Sequence, residues 1–208
     1  MNKKYKIIAL VGESGSGKDR ILKSLSSLPY HWNKIINCTT RPKRSYEKED
    51  IDYHFVDSNY FLENVFLEAS DFNCWQYGTA ENDLKEDIVN VGVFNTKSIP
   101  QLINNPLVSE LIIYRIDVRP EERLLRQLSR DKNVDVTEVV RRFRTEQADF
   151  RLFDKDFALH MKHLQNEDEF NLAENYVEIG RQIRSMNHWE KANIVYTQIL
   201  YTIFSGRE

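Results

Sequence analysis

The stretch Gly12-Glu13-Ser14-Gly15-Ser16-Gly17-Lys18 constrains this chain more than any other. It follows a short apolar run, Tyr5 to Leu10, and precedes a helical pattern with Ile21, Leu22 and Leu25 on one face. The spacing G-x-x-x-x-G-K between a strand and a helix describes a phosphate-binding loop. Its three glycines let the backbone fold tightly round an anion, with N–H groups pointing inward and the helix N-terminus adding its dipole. Lys18 supplies a cation for terminal phosphates. A chain built on such a unit is expected to be α/β, a mostly parallel sheet with helices on both faces.

One position departs from the pattern. After the lysine the motif wants Ser or Thr, whose hydroxyl ligates Mg²⁺; here Asp19 follows. A carboxylate is also a hard oxygen ligand, so Asp19 is a candidate metal ligand. Its charge near nucleotide phosphates makes sense with a cation between them.

Composition narrows the class. A length of 208 residues suits one compact domain with insertions, and 41% hydrophobic with 29% charged residues suits a folded protein. The net charge of −3 favours neither generic nucleic-acid nor membrane binding. No apolar run approaches the ~20 residues of a membrane span, and Met1-Asn2-Lys3-Lys4 leads into the first strand without a signal-peptide core. Cys38 and Cys74 are too few for a disulfide framework. A cytoplasmic protein is expected.

Along the chain, Lys34 to Asn37 reads as a short strand. Thr39-Thr40-Arg41-Pro42-Lys43-Arg44-Ser45-Tyr46-Glu47 follows, then Asp52-Tyr53-His54-Phe55-Val56. Arginine's planar fork suits oxyanions; taken alone, the segment fits a phosphate site or a solvated basic loop equally. Asn59 to Ala69 has helical potential and ends in Phe66-Leu67-Glu68-Ala69; Phe72 to Thr79 is rich in aromatics and amides.

Together these segments resemble a guanylate kinase. The phosphate loop, a T-T-R-x-x-R-x-x-E segment leading into D-Y-x-F-V, and F-L-E followed by Y-G-T occur in family order from about residue 5 to 185. The resemblance implies ATP-dependent phosphorylation of GMP or dGMP with Mg²⁺, and small-molecule nucleotides as partners. Gly12, Glu13, Ser14, Gly15, Ser16, Gly17, Lys18 and Asp19 would bind ATP. Arg41, Arg44, Tyr53 and Tyr77 would grip the acceptor phosphate, with Glu47 orienting the arginines. Glu68 would accept from guanine N1–H and N2–H, Thr79 would donate to O6, and Asn37 stands where the family usually has serine near the base. The segment between Val56 and Glu68 is about four residues shorter than the family's, close to one helical turn.

Ile88 to Asn95 reads as a core strand; where the family generally ends it with aspartates, this chain has Asn95, Thr96 and Lys97. That is either a redistribution of charge with Asp19 or the drift of a degenerate enzyme. Glu110 to Val118 is the next strand, and Pro120 opens a helix with Leu124, Leu125 and Leu128 inward. After a polar break at Asp131 to Asp135 comes a helix with Thr137 as cap and Val139, Val140, Phe143 and Ala148 on its apolar side. The resemblance makes this pair the lid and brings Arg130 and Arg142 onto the donor phosphates, so Lys18, Arg130 and Arg142 are the expected catalytic residues. Arg141 fits a solvated position. Phe157 to Met161 reads as a final short strand, and His160 and His163 have no acidic partner nearby in sequence.

The expected division is a core of residues 1–35, 83–126 and 149–185, a monophosphate-binding region at 36–82, and a lid at 127–148. Residues 167–185 and then 187–205 form amphipathic helices, the last a candidate oligomer contact. Two rivals stand beside the kinase reading: a guanylate-kinase-like binding module for a phosphorylated or acidic peptide, and a kinase of another small phosphorylated substrate.

Overall fold

The computed structural model describes residues 4–44, 47–72, 74–130 and 134–187. The expected helix at 187–205 lies, but for its first residue, outside the described residues. Strand β1 (Tyr5–Val11) delivers the chain to the glycine-rich loop, and helix α1 (Lys18–Leu25) leaves it. Then follow β2 (Trp32–Lys34), β3 (Cys38–Thr39), β4 (His54–Phe55), α2 (Ser58–Glu63), β5 (Phe66–Phe72) and β6 (Trp75–Ala80). The chain returns through β7 (Val89–Val93), α3 (Ser98–Asn104), β8 (Val108–Asp117), α4 (Pro120–Leu128), α5 (Val136–Phe157), β9 (Met161–Gln165) and α6 (Glu169–Met186).

Five strands form a parallel sheet in the order β2-β7-β1-β8-β9. Successive side chains of a strand point to opposite faces, and β1 buries both sets. Tyr5, Ile7, Ala9 and Val11 pack with Ile99, Leu102, Phe150 and Phe153, under α3 and α5. Ile8 and Leu10 pack with Ile21, Leu22, Leu25, Ile179 and Ile183, under α1 and α6. A near-continuous apolar strand is what a parallel sheet covered on both faces requires. A second sheet, β4-β3-β6-β5, rises from the loop after β2.

Several expected elements shift. The strand expected at Lys34–Asn37 is β2, Trp32–Lys34, paired with Val89–Val91. One more bond follows, from Ile35 N–H to Val91 O at 2.9 Å, before the chain leaves the sheet. The segment expected to be helical through Ala69 is split. Asp57 caps α2 by accepting from Tyr60 N, and Asn64 turns extended at φ −115°, ψ 159°. Phe66 then stacks on Phe61 with centroids 4.6 Å apart and begins β5. The final strand is Met161–Gln165 rather than 157–161: Phe150, Phe153 and Phe157 continue the helical period, so α5 runs to Phe157 and crosses the expected lid–core boundary at 148. The cap of α5 is Asp135, which accepts from Glu138 N at 3.1 Å, not Thr137; a carboxylate is among the best N-cap acceptors.

Helix α4 inverts the expected burial. Leu125 is 58% exposed while Arg123 is 2% exposed. The reason is Glu13, whose carboxylate pairs with Arg123 Nη2 at 3.3 Å beneath the loop, where Phe143 lies 5.0 Å from the guanidinium.

A cleft at the carboxyl ends of the parallel strands

The loop after β1, Asn37 after β2, and Phe94 with Asn95 after β7 all lie at the carboxyl ends of their strands. Open α/β sheets place ligand sites there. A cleft of about 430 Å³ opens at this edge, with the loop on one wall and the second sheet on another.

The loop conformation depends on glycine at two points. Gly15 has φ +84°, and a Cβ there would lie 2.6 Å from Arg123 O. Gly17 has φ +86°, and its Cβ would lie 2.5 Å from Asn166 Nδ2. Both positions are left-handed and crowded, so only glycine lets the loop curl without strain. Gly12, Ser14, Gly15, Gly17, Lys18 and Asp19 line the cleft. Glu13 and Ser16 do not; they are 8% and 0% exposed and brace the loop from behind. Glu13 pairs with Arg115 Nη2 at 2.8 Å, and Arg115 also reaches Asp154 at 2.9 Å and Asp117 at 3.6 Å. An arginine within the apolar run of β8 was the sequence signal for this brace, since charges are seldom buried unless paired.

Lys18 folds back onto its own loop, donating to Gly12 O at 2.6 Å, Glu13 O at 3.1 Å and Ser16 Oγ at 3.3 Å. Burial lowers its pKa, opposed by the charges of Asp19, Glu146 and Glu13. The Asp19 side chain faces the cleft and makes no hydrogen bond or ion pair with the described residues. One unengaged carboxylate beside a phosphate loop fits Mg²⁺, which is commonly held by one or two carboxylates plus phosphate oxygens and water.

On the facing wall, Glu47 accepts from Arg41 Nη2 at 2.8 Å and from the Arg44 amide at 2.9 Å. Burial would raise the Glu47 carboxyl; the hydrogen bonds from Arg41 and Arg44, with their charges, hold it below the usual range. The Arg41 guanidinium lies 5.5 Å from the Tyr53 ring centroid, and Tyr53 meets Tyr77 edge-on at 6.2 Å. Burial pushes the Tyr53 hydroxyl well above its ordinary pKa, with Asp19 adding to the effect. Arg41, Arg44, Glu47, Tyr53 and Tyr77 therefore share one wall of the cleft.

Glu68 is the most telling side chain. It lies on β5, directly across from Thr79 on β6, and only 3% of its surface is exposed. Thr79 Oγ1 is 2.8 Å from Glu68 Oε1 and 3.0 Å from Asn37 Oδ1, while Asn37 Nδ2 donates to Val93 O at 2.7 Å. Glu68 Oε2 makes no hydrogen bond of ordinary geometry among the described residues, although the Ser98 side chain lies near the carboxylate. Burial raises the Glu68 pKa against the opposing hydrogen bonds of Ser98 and Thr79. Glu68 and Asn37 line the cleft; Thr79, fully buried, stands behind them.

The β7 end lines the cleft as well, but its polar side chains are also bonded to protein. Asn95 Oδ1 accepts from the Lys97 and Ser98 amides at 2.8 and 3.0 Å, closing the start of α3, and its Nδ2 donates to Ser70 Oγ at 2.8 Å. Lys97 Nζ reaches the Asp71 carbonyl at 3.2 Å. From the turn after α4 and from α5, Arg130 and Arg142 line the cleft, and Arg142 Nη2 donates to Ser14 Oγ at 2.7 Å. Arg141 turns away to Glu138. Sequence reasoning missed Glu146, Asp149 and Gln127, which also line the cleft. Glu146 could have been found one turn after Arg142 on the same helix face. His163 does have an acidic partner, Asp117 Oδ2 at 2.6 Å, supplied by the neighbouring strand.

The family model described as guanylate kinase matches residues 4–93, which hold the loop, the arginine wall and Glu68. The family model and the curated relatives support membership of the guanylate kinase family. Guanylate kinase of Mycoplasma genitalium is 25% identical over 181 residues, 82% of this chain and 72% of that protein. MAGUK p55 subfamily member 3 of Homo sapiens is 28% identical over 120 residues, 55% of this chain but 20% of that protein. The crystal structure of guanylate kinase from Anaplasma phagocytophilum shares the fold, with a TM-score of 0.59 at 18% identity over 98% of this chain and 97% of that one. These guanylate kinase relatives and the shared fold support a nucleotide kinase. No helix among the described residues is long and apolar enough to cross a membrane.

Proposed function

We propose that the protein transfers the γ-phosphoryl group of ATP to a guanine nucleoside monophosphate, GMP or dGMP, giving the diphosphate and ADP. The observation that carries this reading is the buried Glu68 carboxylate, one oxygen without a hydrogen bond among the described residues, in the wall of a cleft shared with a phosphate loop. Guanine offers N1–H and N2–H side by side, and a carboxylate accepts both, whereas the same edge of adenine offers an acceptor at N1. A buried acceptor left without a donor is costly, so the site favours the base that supplies two.

In this reading Arg41, Arg44, Tyr53 and Tyr77 hold the acceptor phosphate, and Glu47 fixes the orientation of the arginine forks. The glycine-rich loop and Lys18 hold the donor phosphates. An oxygen of the acceptor phosphate attacks the γ-phosphorus while the bond to the β–γ bridging oxygen breaks, and that oxygen leaves with ADP. No covalent enzyme intermediate is required; holding the two phosphates in line supplies much of the rate. Lys18, Arg142 and Arg130 stabilise charge on the transferring group. Mg²⁺, when bound, would neutralise charge on the donor oxygens, and Asp19 would hold it.

A second reading keeps the fold and drops the chemistry. Asn95 and Lys97 are engaged with protein rather than presented as acids, and the match to MAGUK p55 subfamily member 3 leaves room for a binding module. A coupled assay of ADP release across ribo- and deoxyribonucleoside monophosphates separates the two. Turnover with GMP or dGMP well above AMP, CMP and UMP is expected. Binding of GMP without turnover on any monophosphate would transfer the conclusion to the binding module.

A further inference from the structure

The phosphate loop is already occupied by a residue of this chain. Glu146, on α5, receives the Ser14 backbone N–H on Oε2 at 2.6 Å and the Ser14 hydroxyl on Oε1 at 2.5 Å. Arg142, one turn earlier, donates to Ser14 Oγ at 2.7 Å and lies 3.5 Å from Glu146 Oε1. Glu146 is 8% exposed. Here a carboxylate takes an amide and a hydroxyl of the loop, and an arginine closes over them. A phosphate oxygen would use those same donors.

We propose that Glu146 is an internal occupant of the donor-phosphate cradle, holding the loop closed until nucleotide displaces it. The inference rests on the reading of Gly12–Lys18 as the donor site. A single N–H makes one strong hydrogen bond, so the Ser14 amide serves Glu146 or a phosphate but not both. The Ser14 hydroxyl has one proton, directed to Glu146, and its lone pair receives Arg142. Lys18 is engaged with Gly12 and Glu13 carbonyls. The Ser14 amide and hydroxyl and the Lys18 ammonium are therefore engaged by the protein itself, while the buried Arg142 Nε makes no hydrogen bond among the described residues.

Displacement is asymmetric in charge. A nucleotide triphosphate brings several negative charges to a cradle that Glu146 fills with one, so nucleotide wins at sufficient concentration. Glu146 must then leave by a side-chain rotation or a shift of the first turns of α5, because Phe150 and Phe153 fix the rest of that helix in the core. The same step frees Arg142 from Ser14 to meet the donor phosphates. Filling of the loop and delivery of the arginine are thus one event.

The test uses the full chain and calorimetric titration with ATP in the absence of Mg²⁺. Removing the competing carboxylate should tighten ATP binding on the order of ten-fold in Glu146→Ala. Glu146→Gln, which keeps the shape without the charge, should also bind more tightly than the parent. Hydrogen exchange of the Ser14 amide without nucleotide should speed up in both variants, a readout that needs neither ATP nor activity. Equal or weaker ATP binding in both variants overturns the proposal and makes Glu146 a residue that positions Ser14 and Arg142. Lys18→Ala distinguishes the underlying reading: it should weaken ATP binding. If it binds ATP like the parent, or if no form binds ATP, the loop is not the donor site and both conclusions fall.

Discussion

Glu68→Gln should move acceptor recognition and the stability of the free protein in opposite directions. Glu68 is 3% exposed, and one of its oxygens makes no hydrogen bond among the described residues. Burial therefore disfavours its charged form, and its pKa in the folded protein is raised above that of the unfolded chain. The native state binds the extra proton between those two pKa values, so stability falls as pH rises from the ordinary carboxylate range through the raised value. Glutamine carries no such charge. At a pH above the raised value the variant should be at least as stable as the parent in urea or thermal unfolding, and its stability should lose that pH dependence. Acceptor binding should weaken, because the amide offers one neutral acceptor and a donor where guanine presents two donors. A lost charged hydrogen bond is worth about 1–3 kcal/mol, or roughly 5- to 150-fold in KM for GMP. The ATP KM should stay within a factor of about two, the charge lying on the far wall from the loop. Steady-state ADP release with GMP and with AMP reads the acceptor effects, and unfolding at two pH values reads the stability. A GMP-to-AMP preference that is the same before and after the substitution would refute the base-reading role.

Other parts of the site give further expectations. Arg41→Lys keeps a charge but loses the fork that Glu47 holds at 2.8 Å, so acceptor KM should rise about ten-fold with ATP KM unchanged; parent-like acceptor kinetics would return this segment to a solvated basic loop. Asp19→Ala should raise the Mg²⁺ concentration needed for half-maximal rate and lower kcat more than it weakens metal-free ATP binding. Asp19→Ser should not restore full activity unless Asn95 and Lys97 also become Asp, a non-additivity expected of coupled groups; full activity in Asp19→Ser alone would show that no compensation exists. Arg115→Met should destabilise the fold by about 3–5 kcal/mol in urea unfolding, since removing one member of a buried ionic cluster leaves carboxylates unpaired. Glu13, 10% exposed at its side chain, is the partner most affected, and a change under about 1 kcal/mol would show that water or Arg123 satisfies it.

Local chemistry determined much of this protein. The glycine-rich loop was legible because two left-handed residues and a lysine at fixed spacing leave the backbone few alternatives. Strands β1, β7 and β8 were legible from their apolar runs, and Pro120 marked the start of α4. Arg41, Arg44 and Tyr53 announced themselves as a segment before any fold was known. What the sequence alone did not decide is where charge ends up. Glu68 read as the end of a helix, because Phe66-Leu67-Glu68 fits either period; pairing with β6 made it a strand residue and put a carboxylate in the interior. Leu125 read as core, yet it is exposed, because Glu13 beneath the loop draws Arg123 inward instead. Asn95 read as a lost acid, whereas its side chain closes the start of α3. Glu146 carries no motif at all, and its position over Ser14 exists only because α5 crosses the loop more than a hundred residues later in the chain. The physical reason is common to all four. Backbone conformation and apolar periodicity are set by neighbours in sequence, but the partner of a buried charge comes from whichever element the fold brings against it.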